Sequence, residues 1–390
     1  MGISQILFML NKKIIAVAVF AVLLGAIVGV KTINQTASVI DLEKPIRVGW
    51  IGDLSGSVAK WGALEATQIA VDGINVTGGI DGRKLEIIAE DGGCNQKMAL
   101  NAAKKLVEID KVRIILGGHC SPESLTIAPY LEQNKVLMMA SITTSPDLTN
   151  AGEYIFRTSS INTNQTLPEV KYMIKNYGIK KIGILYEITG YAEPIARSMR
   201  ADFEKLGGKV LVYEGVDSKQ SDFRTQLLRM KAAGVDAVYI SPQTQDHGAQ
   251  AVRQIYELGL GDVKIFGNDA FSGNVFIELI GGKLAEGIVT GSPYFDVSDP
   301  NVAKFVSEYK KRFGVELPYG VWTADSYDST ILIAKALRAV GEDNEKIKEY
   351  LYGIQDYRGA SGTFSIDKNG DGVREYVVNV IKEGKVMLAE

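Results

Sequence analysis

From Ile46 onward the chain alternates short apolar, β-branched runs with longer stretches in which apolar residues recur every three or four positions. The first run is Ile46-Arg47-Val48-Gly49-Trp50-Ile51-Gly52, followed by residues 84–90, 112–118 and 136–140. Between these runs, Trp61, Leu64, Val71 and Ile74, then Ala99, Ala102, Leu106 and Ile109, have the spacing of helices with one apolar face. A second series begins near Ile161 with a helix to Asn176 and runs at 181–186, 210–213, 235–240 and 263–267. Helices carrying Ile195, Met199, Phe203 and Leu206, then Phe223, Leu227 and Met230, separate them. This alternation predicts parallel sheets with helices on both faces, because a parallel crossover needs a connection of helical length. The two series are of similar length, so the expected fold class is α/β with two similar lobes, each a parallel-sheet βα sandwich. After 287–291 the pattern resumes with helices near 302–313 and 323–340. A closing hairpin is expected between Phe364-Ser365-Ile366 and Tyr376-Val377-Val378. Periodicity leaves open whether the lobes follow one another or are crossed several times by the backbone.

Ahead of this pattern, Lys12 and Lys13 precede an uninterrupted apolar or small run over residues 14–30, closed by Lys31. Such a run reads as a secretory signal peptide or as a single membrane anchor. The lysine pair before the run favours an N-terminus inside and the rest of the chain outside. Thr36-Ala37-Ser38 is a weak cleavage site, and no cysteine directly follows the run for lipid attachment. The chain from about Val39 is therefore expected to be extracytoplasmic, either periplasmic or secreted, or held at the outer face of the cytoplasmic membrane.

Composition narrows the chemistry. The chain has 390 residues and a formal charge of -3, with charges scattered, so no basic stripe exists to neutralise a phosphate backbone and nucleic acid is not an expected partner. The loop after the first run, Asp53-Leu54-Ser55-Gly56-Ser57-Val58-Ala59-Lys60-Trp61-Gly62, lacks the glycine spacing and the lysine of nucleotide-binding loops. The only histidines, His119 and His247, stand at no metal-ligand spacing, and Asp367-Lys368-Asn369-Gly370-Asp371-Gly372 starts like a calcium loop but has Val378 where a bidentate Glu belongs. No cofactor, metal or catalytic constellation is expected, and the reading is that the chain is not an enzyme. The only cysteines, Cys94 and Cys120, can pair in an oxidising compartment or stand as two buried thiols.

In open parallel sheets, ligands bind beyond the carboxyl ends of strands. The loop Gly117-Gly118-His119-Cys120-Ser121-Pro122-Glu123 lies there, with Ser121 expected as helix N-cap and as one side of an anion site. Ser141-Ile142-Thr143-Thr144-Ser145 places hydroxyls at the next strand end, and Phe266-Gly267-Asn268-Asp269-Ala270 places a carboxylate where a ligand ammonium can meet it. Each loop alone is equally well explained by caps and turns.

From Ile46 to about Lys385 the chain resembles the Leu/Ile/Val-binding proteins of bacterial ABC importers, of the type I periplasmic-binding family. The resemblance is carried by Ser55-Gly56-Ser57-Val58-Ala59-Lys60-Trp61-Gly62, by residues 75–81 with Gly78-Gly79-Ile80, and by residues 91–98 with Cys94. It implies a disulfide between Cys94 and Cys120. It also implies that Ser121 and Thr144 hold a ligand carboxylate, that Thr144, the Ile142 carbonyl and Asp269 hold its ammonium, and that Trp61 and Tyr191 flank it. Where the family presents aromatic residues to the ligand side chain, this chain has Gln243-Thr244-Gln245, so Gln243 and Thr244 are expected in that pocket and an aliphatic ligand is in doubt. The resemblance further implies three crossings, near Ile161, Gly291 and Gly372. The first lobe would comprise 45–161 and 292–372 and the second 162–291 and 373–390, after a leader and linker over 1–44. The implied function is an extracytoplasmic solute-binding protein, closing on a small amino acid or related zwitterion and serving a membrane permease and its ATPase. The alternatives are a ligand-sensing ectodomain, or a binder of short amides, urea or carboxylates.

Overall fold

The computed structural model describes residues 44–56 and 58–389. The apolar run at 14–30, with the alternatives of cleavage and anchorage, lies outside them. Among the described residues no helix is long and apolar enough to cross a membrane.

The first sheet has the order β2-β1-β3-β4-β5, from β1 (Ile46–Gly52), β2 (Leu85–Asp91), β3 (Ile114–Leu116), β4 (Leu137–Ala140) and β5 (Ile155–Arg157), all paired in parallel. The short β5 was not expected, because three residues carry no period of their own. Side chains alternate between the sheet's faces, as the two-residue period of a strand requires. Trp50, Leu116, Leu137 and Met139 enter one apolar cluster, and Ile51, Ile115, Met138 and Ala140 enter another. Burial on both faces is why these strands read as continuous apolar runs.

The second sheet repeats the arrangement with β6 (Lys181–Glu187), β7 (Lys209–Val216), β8 (Ala237–Ser241), β9 (Lys264–Gly267) and β10 (Val289–Pro293) in the order β7-β6-β8-β9-β10. It departs from an all-parallel sheet at one edge. Strands β14 (Tyr376–Lys382) and β15 (Lys385–Leu388), which follow β11 (Tyr357–Gly359), β12 (Gly362–Ile366) and β13 (Gly372–Val373), extend it antiparallel beside β10.

The expected closing hairpin is corrected here. A turn does form at 367–371, with Asp367 N–H donating to Asp371 O at 2.9 Å, but Ser365 pairs with Val373, whereas Tyr376 pairs with Pro293 in the second sheet. The alternating run after Arg374 joins the longer, better-buried sheet because its apolar residues Val380 and Ile381 find cores there.

The chain therefore leaves the first sheet after Arg157, enters the second at Lys181, leaves it after Pro293 and returns to it at Tyr376. In the interval, helix Val321–Val340 covers the first sheet, with Trp322, Leu332 and Leu337 in the cluster of Trp50 and Met139. This is the type I periplasmic-binding architecture of two similar lobes crossed three times. Where the passages meet, Gly372 lies against the Thr158 carbonyl, 2.1 Å from where a Cβ would stand, so only glycine allows the close approach.

Candidate functional site

The strand ends of the two sheets face one another across a cleft, and the loops on the first sheet's side are densely tied. Gly117, at φ 118°, has the Ile51 carbonyl 2.1 Å from its missing Cβ, which restricts the start of this loop to glycine. Cys120, not Ser121, takes the N-cap position of helix Ser121–Gln133, and Ser121 is its first residue with Pro122 second. The cap falls one residue earlier than expected, and Glu123 at the third helical position closes the helix end, its carboxylate accepting the N–H groups of His119 and Cys120 at 2.9 Å. The same carboxylate accepts the Cys94 N–H at 2.9 Å, and Cys94 is disulfide-bonded to Cys120 with their Cα atoms 5.3 Å apart. Burial pushes Glu123 up to about 7, against the pull of those three backbone donors. His119 is buried against Trp50 with Nδ1 2.7 Å from the Ile51 carbonyl, and burial lowers it to about 4.

The next loop is fixed to the first by Thr143, whose hydroxyl donates to Gly118 O at 2.9 Å, and by the Ser145 N–H, which donates to Ser121 Oγ at 3.3 Å. Arg157, fully buried, donates to Ser145 O at 2.7 Å and pairs with Asp371 at 2.7 Å, so the third crossing braces this loop. Thr144 is buried too, and its hydroxyl has no hydrogen-bond partner among the described residues.

On the second sheet's side, Asp269 opens the short turn that follows β9. Its Oδ1 accepts the Tyr191 hydroxyl at 2.5 Å and Gln165 Nε2 at 3.2 Å, while its own N–H donates to Gln165 Oε1 at 2.9 Å. Burial raises Asp269 to about 6, with the two side-chain donors holding it down. Across the cleft, the Trp61 indole N–H donates to Gln245 Oε1 at 3.2 Å and its ring lies 4.7 Å from that of Tyr319.

Of the residues expected from sequence, Trp61, Ser121, Ile142, Tyr191, Gln243 and Asp269 line one narrow cavity. Thr144 and Thr244 do not line it. Thr244 precedes helix Gln245–Glu257 and borders, with Gln243, Glu187 and His247, a wider cleft of about 1000 Å³ that continues outward. Sequence reasoning missed Tyr319 and Trp322, which complete the narrow cavity, and Gln165, which holds Asp269 from a crossover segment. The signal for the first two was an aromatic pair flanking Gly320 at a helix start, but nothing in the chain said that this helix returns to the first sheet. Among the described residues no group of three or more His, Cys, Asp or Glu side chains is placed to hold a metal ion.

The arrangement places a carboxylate on one wall and a serine at a helix N-terminus on the other, complementary to a ligand bearing both charges. Comparisons with known proteins show which proteins the whole chain resembles. A leucine-, isoleucine-, valine-, threonine- and alanine-binding protein of Pseudomonas aeruginosa is 30% identical over 84% of this chain and 87% of its own length. The Leu/Ile/Val-binding protein of Escherichia coli (strain K12) is 29% identical over 83% of this chain and 93% of its own. The crystal structure of a leucine binding protein from Thermotoga maritima superposes with a TM-score of 0.82 at 29% identity, covering 88% of this chain and 98% of that one. The family model described as periplasmic binding protein matches residues 45–385, and the chain belongs to that family.

Proposed function

We propose that this chain is the extracytoplasmic solute-binding protein of an ABC importer and that it captures a small amino acid between its lobes without chemically changing it. The observation that carries the reading is Asp269, a fully buried carboxylate that shares one cavity with Ser121 and the Ile142 segment. In this reading Ser121 and Thr144 take the ligand carboxylate, and Asp269, the Ile142 carbonyl and Thr144 take its ammonium. Trp61 and Tyr191 exclude water from both, and Gln243 meets the side chain, with Thr244 beyond it in the wider cleft. The unpartnered Thr144 hydroxyl supports its part, since a buried hydroxyl is ordinarily hydrogen-bonded.

The lobes are assigned as 45–161 with 292–372 and 162–291 with 373–390. The pairing of Ser292 and Pro293 within the second sheet favours moving the middle boundary a few residues onward. Closure follows from where the contacts lie: the ligand docks first on the braced loops of Ser121 and Thr144, and Asp269 engages when the second lobe swings in. Contacts made only in the closed form shift the population towards it. A membrane permease with its ATPase then reads that form. The disulfide suits an oxidising, extracytoplasmic address, and residues 14–30 are the proposed route to it, as leader or as anchor.

The test is calorimetric titration of the purified protein with a panel of amino acids. Replacing Asp269 by Ala leaves an ammonium buried without its counter-charge, and affinity is expected to fall at least about tenfold, the equivalent of roughly 1.4 kcal/mol or more. Unchanged affinity removes Asp269 from the site. Binding is also expected to weaken as pH falls through about 6, where Asp269 takes up a proton and can no longer pair with an ammonium.

A further inference from the structure

We propose that the ligand's side chain is neutral and hydrogen-bonding, a carboxamide or a hydroxyl, rather than branched and aliphatic; the inference rests on the amino-acid site above. Gln243 lines the narrow cavity at 8% exposure, and its Oε1 is buried without a hydrogen-bond partner among the described residues. Gln245, at 2% exposure, accepts the Trp61 indole N–H with Oε1. An indole N–H can only donate, so this bond fixes the orientation of the Gln245 amide and leaves Nε2 as a donor, which is likewise buried and unpartnered. The Trp322 indole N–H, on a residue that lines the same cavity, is a second such donor.

The narrow cavity therefore holds one buried acceptor, Gln243 Oε1, and one buried donor, the Trp322 indole N–H, each without a partner among the described residues; Gln245 does not line it. An aliphatic group packed there leaves both unsatisfied, whereas a group that both donates and accepts answers them. Charged side chains match less well. A carboxylate has no proton for Gln243 Oε1, and an ammonium accepts nothing from Trp322. The nearby acid that an ammonium would need, Glu187, is already engaged by His247 and by the Gln243 backbone N–H at 3.0 Å.

The experiment titrates the full-length protein calorimetrically with glutamine, asparagine, threonine, leucine, valine, glutamate and lysine. The best of the first three is expected to bind at least about tenfold tighter than any of the other four. Gln243→Leu is expected to erase that margin by improving leucine and weakening the polar ligand; Gln243→Met, close in volume to glutamine, serves where leucine disturbs folding. Leucine, valine, glutamate or lysine binding as tightly as the best neutral polar ligand overturns the inference, and so does a margin that survives both substitutions. In those cases the amino-acid site itself stands, provided Asp269→Ala still abolishes the binding. Absence of binding by all seven, or binding indifferent to Asp269→Ala, overturns the site and this inference together.

Discussion

On the first sheet's side of the cleft, the loop of Ser121 is joined to the loop of Ile142 and Thr144 through Thr143 and Ser145, the first loop is tied to Cys94 by the disulfide and the Glu123 carboxylate, and the second is braced by the Arg157 guanidinium. On the second sheet's side, Asp269 hangs on the Tyr191 hydroxyl and the Gln165 amide, and Gln243 leaves its carboxamide oxygen unsatisfied. The five parallel strands run in the same order on both sides, and β14 and β15 are added only at the far edge of the second sheet, so the difference at the cleft lies in the loops. One rim is built to be rigid before a ligand arrives. The other presents a buried carboxylate whose ionisation costs stability until a ligand meets it, while polar atoms without partners among the described residues lie on both rims, on Thr144 and Trp322 of the first and on Gln243 of the second. A protein that closes on its ligand needs this asymmetry, because the surface that docks the ligand must already be in shape while the surface that closes must gain by closing.

The comparison is broken most severely by removing the brace of the first rim. Asp371→Ala leaves Arg157 charged and buried with no counter-ion, and is expected to destabilise the protein by about 3–5 kcal/mol, read from the urea midpoint. Ligand affinity is expected to fall with it, because Arg157 holds the loop of Thr144. Next comes the disulfide, which spans a sequence separation of 26 residues. Replacing Cys94 and Cys120 by Ala is expected to cost on the order of 3.5 kcal/mol by the chain-entropy model, measured in the same way.

The second rim is expected to answer in the opposite direction. Asp269 titrates at about 6 in the folded protein, above its ordinary value, so the fold binds the extra proton between about 4 and 6. Its contribution is therefore fully present below about 4 and lost as pH rises through about 6. Asp269→Asn, which cannot ionise, is expected to raise the unliganded melting temperature at pH 8, by up to roughly 3 kcal/mol of stability, while abolishing binding. A variant that is less stable than the parent at pH 8 contradicts the view of this rim as stored instability. The smallest effect is expected from Tyr191→Phe, which removes one donor to that carboxylate. Affinity should fall by about 1.5 kcal/mol and the pH midpoint of binding should move up, both visible in titrations repeated from pH 5 to pH 8.

Much of the frame was legible beforehand, because strands buried on both faces and amphipathic helices write their periods directly into the chain. Arg374 marks where that legibility failed. Sequence places it inside a hairpin, but its guanidinium is buried against Asp325 at 2.7 Å, and the strands before and after it belong to different sheets. A turn signal reports that the chain reverses, not which sheet receives the next strand. The same limit applied to the cap at Ser121: the residue type suited the role, but the helix begins at Ser121 itself with Cys120 as its N-cap, and Glu123 also takes the N–H of the distant Cys94.

What the sequence by itself determined about this protein was the alternation of elements and the strand-end loops with Ser121, Ile142 and Asp269, because each of these is a local property of composition and spacing, while Trp61, Tyr191 and Gln243 came from the family resemblance. What only the tertiary structure decided was the closure of that cavity by Tyr319 and Trp322, the support of Asp269 by Gln165, and the stranding of buried polar atoms on Gln243, Gln245 and Trp322. Those outcomes depend on residues far apart in the chain being packed together, and whether a buried donor finds an acceptor is settled only when all its neighbours are in place.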